Sequence, residues 1–169
     1  ILRRYGFRGT MLLHYDAMLR PEFQKTAKEA SDCTEIGLWL EAVQPMVEAV
    51  GLRWRGRRGF SWDWHCHCDA LIGYAPEERK LLIDEAMRRF KDIFGRFPKV
   101  AGAWVLDAVS LAYLHDRYGI AAACNCKEQW GTDGYTLWGG YAPAYYPSRK
   151  NVLSPAQTAR EQIDVPVFR

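Results

Sequence analysis

The sequence predicts an α/β chain whose parallel strands form part of a (β/α) barrel. Three observations carry that expectation. Short runs that are apolar on both parities alternate with amphipathic segments, and a strand buried on both faces by helices has this look. The same helix-to-strand connection occurs twice, as Arg4-Tyr5-Gly6-Phe7 and Arg117-Tyr118-Gly119-Ile120, each a helix end, a terminating glycine and a strand start. Alternation of this kind leaves an open doubly wound sheet or a barrel. No Gly-x-Gly-x-x-Gly and no Walker loop follows any run, so the nucleotide-binding open sheets lose their main support and the barrel is favoured.

In chain order, the first strand is expected at 7–15 and the second at 34–40, with a helix at 21–30 between them opened by Pro21. A further helix fits 41–50, stopped by Gly51. Residues 60–68 read as a strand. The clearest helix runs from Pro76 to Phe94: proline at the first turn, Glu77 and Glu78 at the positive end of the dipole, Leu82, Ile83, Met87 and Phe90 at helical spacing, then Gly95. Strands follow at 100–106, 120–127 and 163–168, with a helix at 110–118. The stretch 128–162 breaks the rhythm. Its glycines, prolines and aromatic residues are too irregular for a helix and too aromatic for a disordered linker, and a long ordered loop in a compact domain is usually functional.

Composition bounds the class. With 169 residues, 49% hydrophobic and 25% charged, the chain can bury a core and is neither disordered nor fibrous. No apolar run approaches the ~18 residues of a bilayer span, and no signal-like apolar region opens the chain. The net charge of +3 is too mild for a nucleic-acid partner. The basic cluster Arg53, Arg55, Arg57 and Arg58 reads as a solvated Gly/Arg loop. Five cysteines, an odd number with two Cys-x-Cys pairs, indicate free thiols before a disulfide framework or a zinc ribbon.

Three groups of residues could carry chemistry. Trp62-Asp63-Trp64-His65-Cys66-His67-Cys68-Asp69, read as a strand, puts Asp63, His65, His67 and Asp69 on one side. His65 and His67 with Asp63 are then the candidate ligands of a divalent metal such as zinc, the alternative being a strand end with hydrogen-bonded histidines and packed tryptophans. Barrel enzymes draw catalytic groups from the C-terminal ends of several strands, which selects Asp16, Glu41, Asp107 and Glu128. Each has a plainer alternative: a turn for Asp16, first-turn charge for Glu41, a helix cap for Asp107. Trp39, Trp64, Trp104, Trp130, Asp133, Tyr135 and Trp138 are the candidate sugar-facing groups, because sugar rings stack on aromatic faces. The loop aromatics could equally pin their own loop.

Arg3-Arg4-Tyr5-Gly6-Phe7-Arg8-Gly9-Thr10 resembles the K-Y-G-I-x-A-T-F approach to the second strand of the polysaccharide deacetylases. The similarity continues in register. Pro21-Glu22-Phe23 is similar to the helix that follows, Glu35-Ile36-Gly37 to the H-E-I-G-N-H-T strand, 76–98 to the long helix ending in G-x-x-P, 100–107 to the F-R-P-P-Y-G strand, and 111–120 to the helix ending in L-G-Y. Trp62 to His67 and Gly131 to Gly140 look like stretches shared by uncharacterised proteins of the glycoside hydrolase/deacetylase group. The resemblance implies a (β/α)7-type barrel, missing its first strand here, with a carbohydrate-facing mouth. The departures are specific. The family's two metal-binding histidines fall on Trp39 and Val43, and its T-F-D-D-G motif has no counterpart, so its zinc mechanism does not transfer.

The expected function is a carbohydrate-active hydrolase acting on a polysaccharide or oligosaccharide, by two carboxylates on a glycosidic bond or by a His65/His67 metal on an acetyl group. The alternative is a barrel that binds glycans or partners without catalysis. A full barrel takes ~250 residues, so about six strands in 169 residues suggest part of one, with an open edge able to pair with another chain.

Overall fold

The computed structural model describes residues 2–126 and 144–168. Its elements run α1 (Leu2–Tyr5), β1 (Gly9–His14), α2 (Tyr15–Met18), α3 (Pro21–Ala30), β2 (Thr34–Trp39), α4 (Gln44–Ala49), α5 (Pro76–Phe94), β3 (Val100–Ala103), α6 (Ala108–Tyr118), β4 (Ala122–Asn125), β5 (Ala144–Tyr145), β6 (Pro147–Ser148), β7 (Asn151–Pro155) and β8 (Val167–Phe168), with short 3₁₀ turns at Leu71–Gly73 and Ala159–Glu161. Six strands form one sheet in the order β1-β2-β3-β4-β8-β5, and β6 pairs with β7 in a separate ribbon. From β1 to β8 every pairing is parallel, and β5 closes the row antiparallel to β8. β1 and β5 are the two edges, so the sheet is a mostly parallel, unclosed segment consistent with part of a barrel.

The two faces of the sheet differ. Register aligns Leu13 with Leu38, Leu38 with Ala101 and Ala101 with Ala123. This parity joins Ala27 of α3, Leu82, Ile83, Met87 and Phe90 of α5, and Leu111 and Leu114 of α6 in one buried core. Each fully buried side chain of this size stabilises the fold by about 1.5–3 kcal/mol. The opposite face surrounds an apolar hollow of about 390 Å³ whose lining comes wholly from β1, β3, β4 and β8. A doubly wound sheet would bury both faces under helices. A hollow lined by strands is what the inside of a barrel provides. Gly37 fits this inner layer because a Cβ there would lie 2.4 Å from Val100 Cγ2 and 2.7 Å from Leu12 Cδ2.

Local chemistry accounts for the element ends. In α5, Pro76 opens the helix, Glu78 accepts the Ala75 N–H at 2.8 Å, and Gly95 ends it in a left-handed turn. The repeated connection also holds: Gly6 and Gly119 take φ of +68° and +67° at the two helix-to-strand passages.

Several expectations need correction. Residues 60–68 are not a strand, because Asp63 gathers the Arg57 and His65 backbone N–H groups and so turns the chain on itself, competing with a ladder. The helix expected from residue 41 begins at Gln44, since the Leu40 and Ala42 N–H groups bond outward to the carbonyls of Gly102 and Asp69. The last strand shortens to Val167–Phe168, and the described part of 128–162 contributes β5, β6 and β7, which the sequence did not announce. No described helix is long and apolar enough to cross a membrane.

Candidate functional site

β1 and β2 run parallel with His14 opposite Trp39, at the C-terminal end of each strand. Strand parity places both on the hollow's side of the sheet. Beyond β2 the chain leaves the ladder and brings Glu41 back beside His14. The imidazole lies between two carboxylates, with Nδ1 at 2.7 Å from Asp16 Oδ1 and Nε2 at 2.9 Å from Glu41 Oε2. Asp16 is itself held by the Ala17 N–H at 2.8 Å. Trp62, from the following loop, donates its indole N–H to the same Glu41 Oε2 at 3.1 Å.

Glu41 is 5% exposed, and its second oxygen, Oε1, has no hydrogen-bond partner among the described residues. A buried carboxylate oxygen is costly to leave unpaired. Burial works against a charge on His14, but hydrogen bonds and charge from Asp16 and Glu41 prevail and raise its pKa to about 9. At neutral pH the ring is an imidazolium that donates from both nitrogens. The His14 hydrogen bond in turn holds the Asp16 carboxyl below its ordinary range.

Two tryptophans adjoin this cluster, Trp39 opposite His14 in the register and Trp62 through its bond to Glu41. Trp39 meets Trp104 edge-on with ring centroids 5.8 Å apart, Trp62 is partly exposed, and Trp64 stacks on His65 at 4.4 Å. The loop bearing Trp62 and Trp64 is fixed by the Gln44 N–H bond to the Ser61 carbonyl and by Asp63, which is 1% exposed. Asp63 accepts from His65 Nδ1 at 2.5 Å and from the Arg57 backbone and Nε at 3.0 and 3.1 Å. The His65 bond, with these backbone donors, holds the Asp63 carboxyl far below its ordinary range.

A family model for a domain of unknown function with solved structure, DUF3863, matches residues 74–168, more than half of the chain. The chain belongs to the DUF3863 family. Among solved structures it is similar to one titled "a putative glycoside hydrolase/deacetylase" from Parabacteroides distasonis, at 16% identity and a TM-score of 0.61 over 97% of this chain and 34% of that one. The chain therefore spans about a third of that structure's length, and the likeness shows a shared fold. No curated protein matches. The DUF3863 match begins at Tyr74, after β1, β2 and Glu41, so the His14 cluster rests on geometry alone.

Of the residues expected from sequence, the structure brings together Asp16 and Glu41, with Trp39 in line beside His14. Asp107 is used elsewhere in this DUF3863 chain. It caps α6 by accepting the Val109 and Ser110 N–H groups, accepts the Ser110 hydroxyl, and pairs with Arg79 at 3.1 Å. His65 and His67 sit in the irregular loop with ring centroids 5.6 Å apart. Asp63 spends both oxygens inside that loop, and among the described residues no group of three or more His, Cys, Asp or Glu is placed to hold a metal ion. The described donors alone do not complete a zinc site. Glu128, Trp130, Asp133, Tyr135 and Trp138 lie outside the described residues.

The basic cluster is exposed, with two of its arginines paired: Arg55 with Glu78, lying 4.3 Å over the Tyr74 ring, and Arg57 with Asp63. On β4, a hydrogen bond from Cys126 outweighs burial and brings the Cys124 thiol down to about 7.

Sequence reasoning missed His14. The signal was present, because His14 is the next-to-last residue of the strand expected at 7–15, near the strand end where barrel chemistry is placed.

Proposed function

We propose that this chain carries the site of a carbohydrate-active hydrolase, built on Glu41, His14 and Asp16 at the C-terminal ends of β1 and β2. The observation that carries the reading is Glu41 Oε1: a buried carboxylate oxygen with no described partner, beside an imidazolium and among tryptophans. His14 and Trp62 occupy Oε2 and fix the plane of the carboxylate, which leaves Oε1 to take a proton from water or a sugar hydroxyl. Asp16 and Glu41, bridged by one ring, are the two carboxylates that a glycosidic reading requires. Trp39, Trp62 and Trp104 offer faces and edges on which a sugar ring can rest. The name given to the similar structure supports the carbohydrate class and either bond, glycosidic or acetyl.

The test is incubation of the protein with acetylated and unacetylated oligosaccharides, following new reducing ends and released acetate. Turnover that disappears in Glu41→Gln supports the reading. Turnover unchanged by that substitution overturns it. Oligosaccharide binding with neither product, equal in wild type and Glu41→Gln, establishes instead the non-catalytic glycan-binding alternative.

A further inference from the structure

Cys124 stands three strands along the sheet from His14, in the register row His14, Trp39, Gly102, Cys124. Cys124 and Cys126 stand two residues apart on β4 and its continuation, so both side chains leave the same face of the strand. That face borders the apolar hollow, which Cys124 lines directly. The Cys126 N–H still bonds to the Ala103 carbonyl at 3.3 Å, so the strand conformation extends through both cysteines. Between them Asn125 projects to the other side and clamps the chain, accepting the Leu106 N–H at 3.3 Å and donating to the Leu106 carbonyl at 3.2 Å.

Three chemical facts narrow what such a pair can hold. Along a strand the Cα atoms of residues two apart are ~6.6 Å apart, close to the upper limit for a disulfide, so a bond between these sulfurs demands bending that the Asn125 clamp resists. An atom inserted between the sulfurs spans the same gap without it. Around the hollow, Leu12, Val100, Ala122 and Phe168 bring carbon and Thr10 a hard hydroxyl oxygen, so the described lining adds no third soft donor. Zinc takes four ligands, and calcium and magnesium take oxygen. Thiolates select the monovalent copper class, which is satisfied by two.

We propose that Cys124 and Cys126 form a two-thiolate site for a soft monovalent metal ion of the Cu(I) class. Binding releases the thiol protons to solvent and changes no oxidation state. Anaerobic titration of the reduced protein with Cu(I), in competition with bathocuproine disulfonate, tests it. The expected result is one equivalent of copper withdrawn from the chelator, with two sulfur neighbours in the X-ray absorption spectrum. Cys124→Ser and Cys126→Ser should each lower the affinity at least 100-fold. Cys66→Ser, in the other Cys-x-Cys pair, should leave it unchanged. No withdrawal by the wild type overturns the proposal, as does undiminished uptake by Cys124→Ser or an equal loss in Cys66→Ser. Circular dichroism establishes that each variant is folded. If Cys124→Ser does not fold, Cys126→Ser decides, since loss of uptake by that folded variant supports the site and retention overturns it.

Discussion

Among the described residues two histidines pair with a buried acid, His14 with Glu41 (and with the more exposed Asp16) and His65 with Asp63, and the two buried acids differ in what they have left over. Both acids are buried and both accept from an imidazole at 2.9 Å or less. Asp63 spends its remaining capacity on the Arg57 backbone, the Arg57 guanidinium and the His65 N–H, so its charge is consumed in shaping a loop. Glu41 accepts twice on one oxygen and keeps the other without a described partner. The same residue types therefore act as scaffold in one place and as a poised acceptor in the other. The difference teaches that spare hydrogen-bonding capacity, more than residue type or spacing, marks the candidate for chemistry.

The sharpest way to break this comparison is to neutralise each acid. Glu41→Gln keeps the shape and removes the proton acceptor, so hydrolysis per folded molecule should fall by about 10²–10⁴-fold, beyond whatever the lost ion pair with His14 takes from the melting temperature. Initial rates at saturating substrate beside a thermal melt measure both. A large loss of stability with little loss of rate would place Glu41 with Asp63 as scaffold.

The next effect in size concerns pH. His14 has its pKa raised from 6.5 to about 9 in the folded chain, so its pairing with Asp16 and Glu41 stabilises the fold fully below about pH 6.5 and ceases to do so as pH rises through 9. A shift of that extent corresponds to roughly 3 kcal/mol. Denaturant titrations should show wild type losing stability relative to His14→Gln between pH 6.5 and 9. A difference independent of pH would mean that the ring is neutral in the fold.

Smaller again is the scaffold acid. Asp63→Asn keeps the size but replaces a charged acceptor that holds the loop, so stability should fall by about 1–3 kcal/mol, a drop of several degrees in melting temperature. Hydrolysis per folded molecule should survive. A rate loss equal to that of Glu41→Gln, at unchanged stability, would erase the distinction between the two pairs.

Much of the fold was legible because apolar periodicity and terminators are local signals. Pro76, Glu78 and Gly95 mark α5, and the apolar runs at 7–15, 34–40 and 100–106 contain β1, β2 and β3. The run at 60–68 misled because alternating polar and aromatic residues imitate a strand's period, while the deciding event is one carboxylate capturing nearby N–H groups. Asp16 and Glu41 were legible from their places after strands. Their convergence on His14 was not, because residues 27 positions apart meet only through the parallel register of β1 and β2. Asp107 shows the converse: a strand-end acid that the start of α6 claims as its cap.

The smallest expected effect isolates how Glu41 is held. Trp62 touches the cluster through its indole N–H to Oε2 at 3.1 Å, and as a residue 42% exposed it also has surface able to face a sugar. Trp62→Phe keeps an aromatic face and deletes the donor. Losing one hydrogen bond of this partly solvated kind costs about 0.5–1.5 kcal/mol, which is roughly a 2–10-fold change in rate. If the bond serves to orient Glu41, the loss should fall on kcat with KM nearly constant, and Trp62→Ala should then raise KM as well by removing the face. If Trp62→Phe instead raises KM alone, the indole binds substrate without steering the carboxylate, and His14 holds Glu41 by itself.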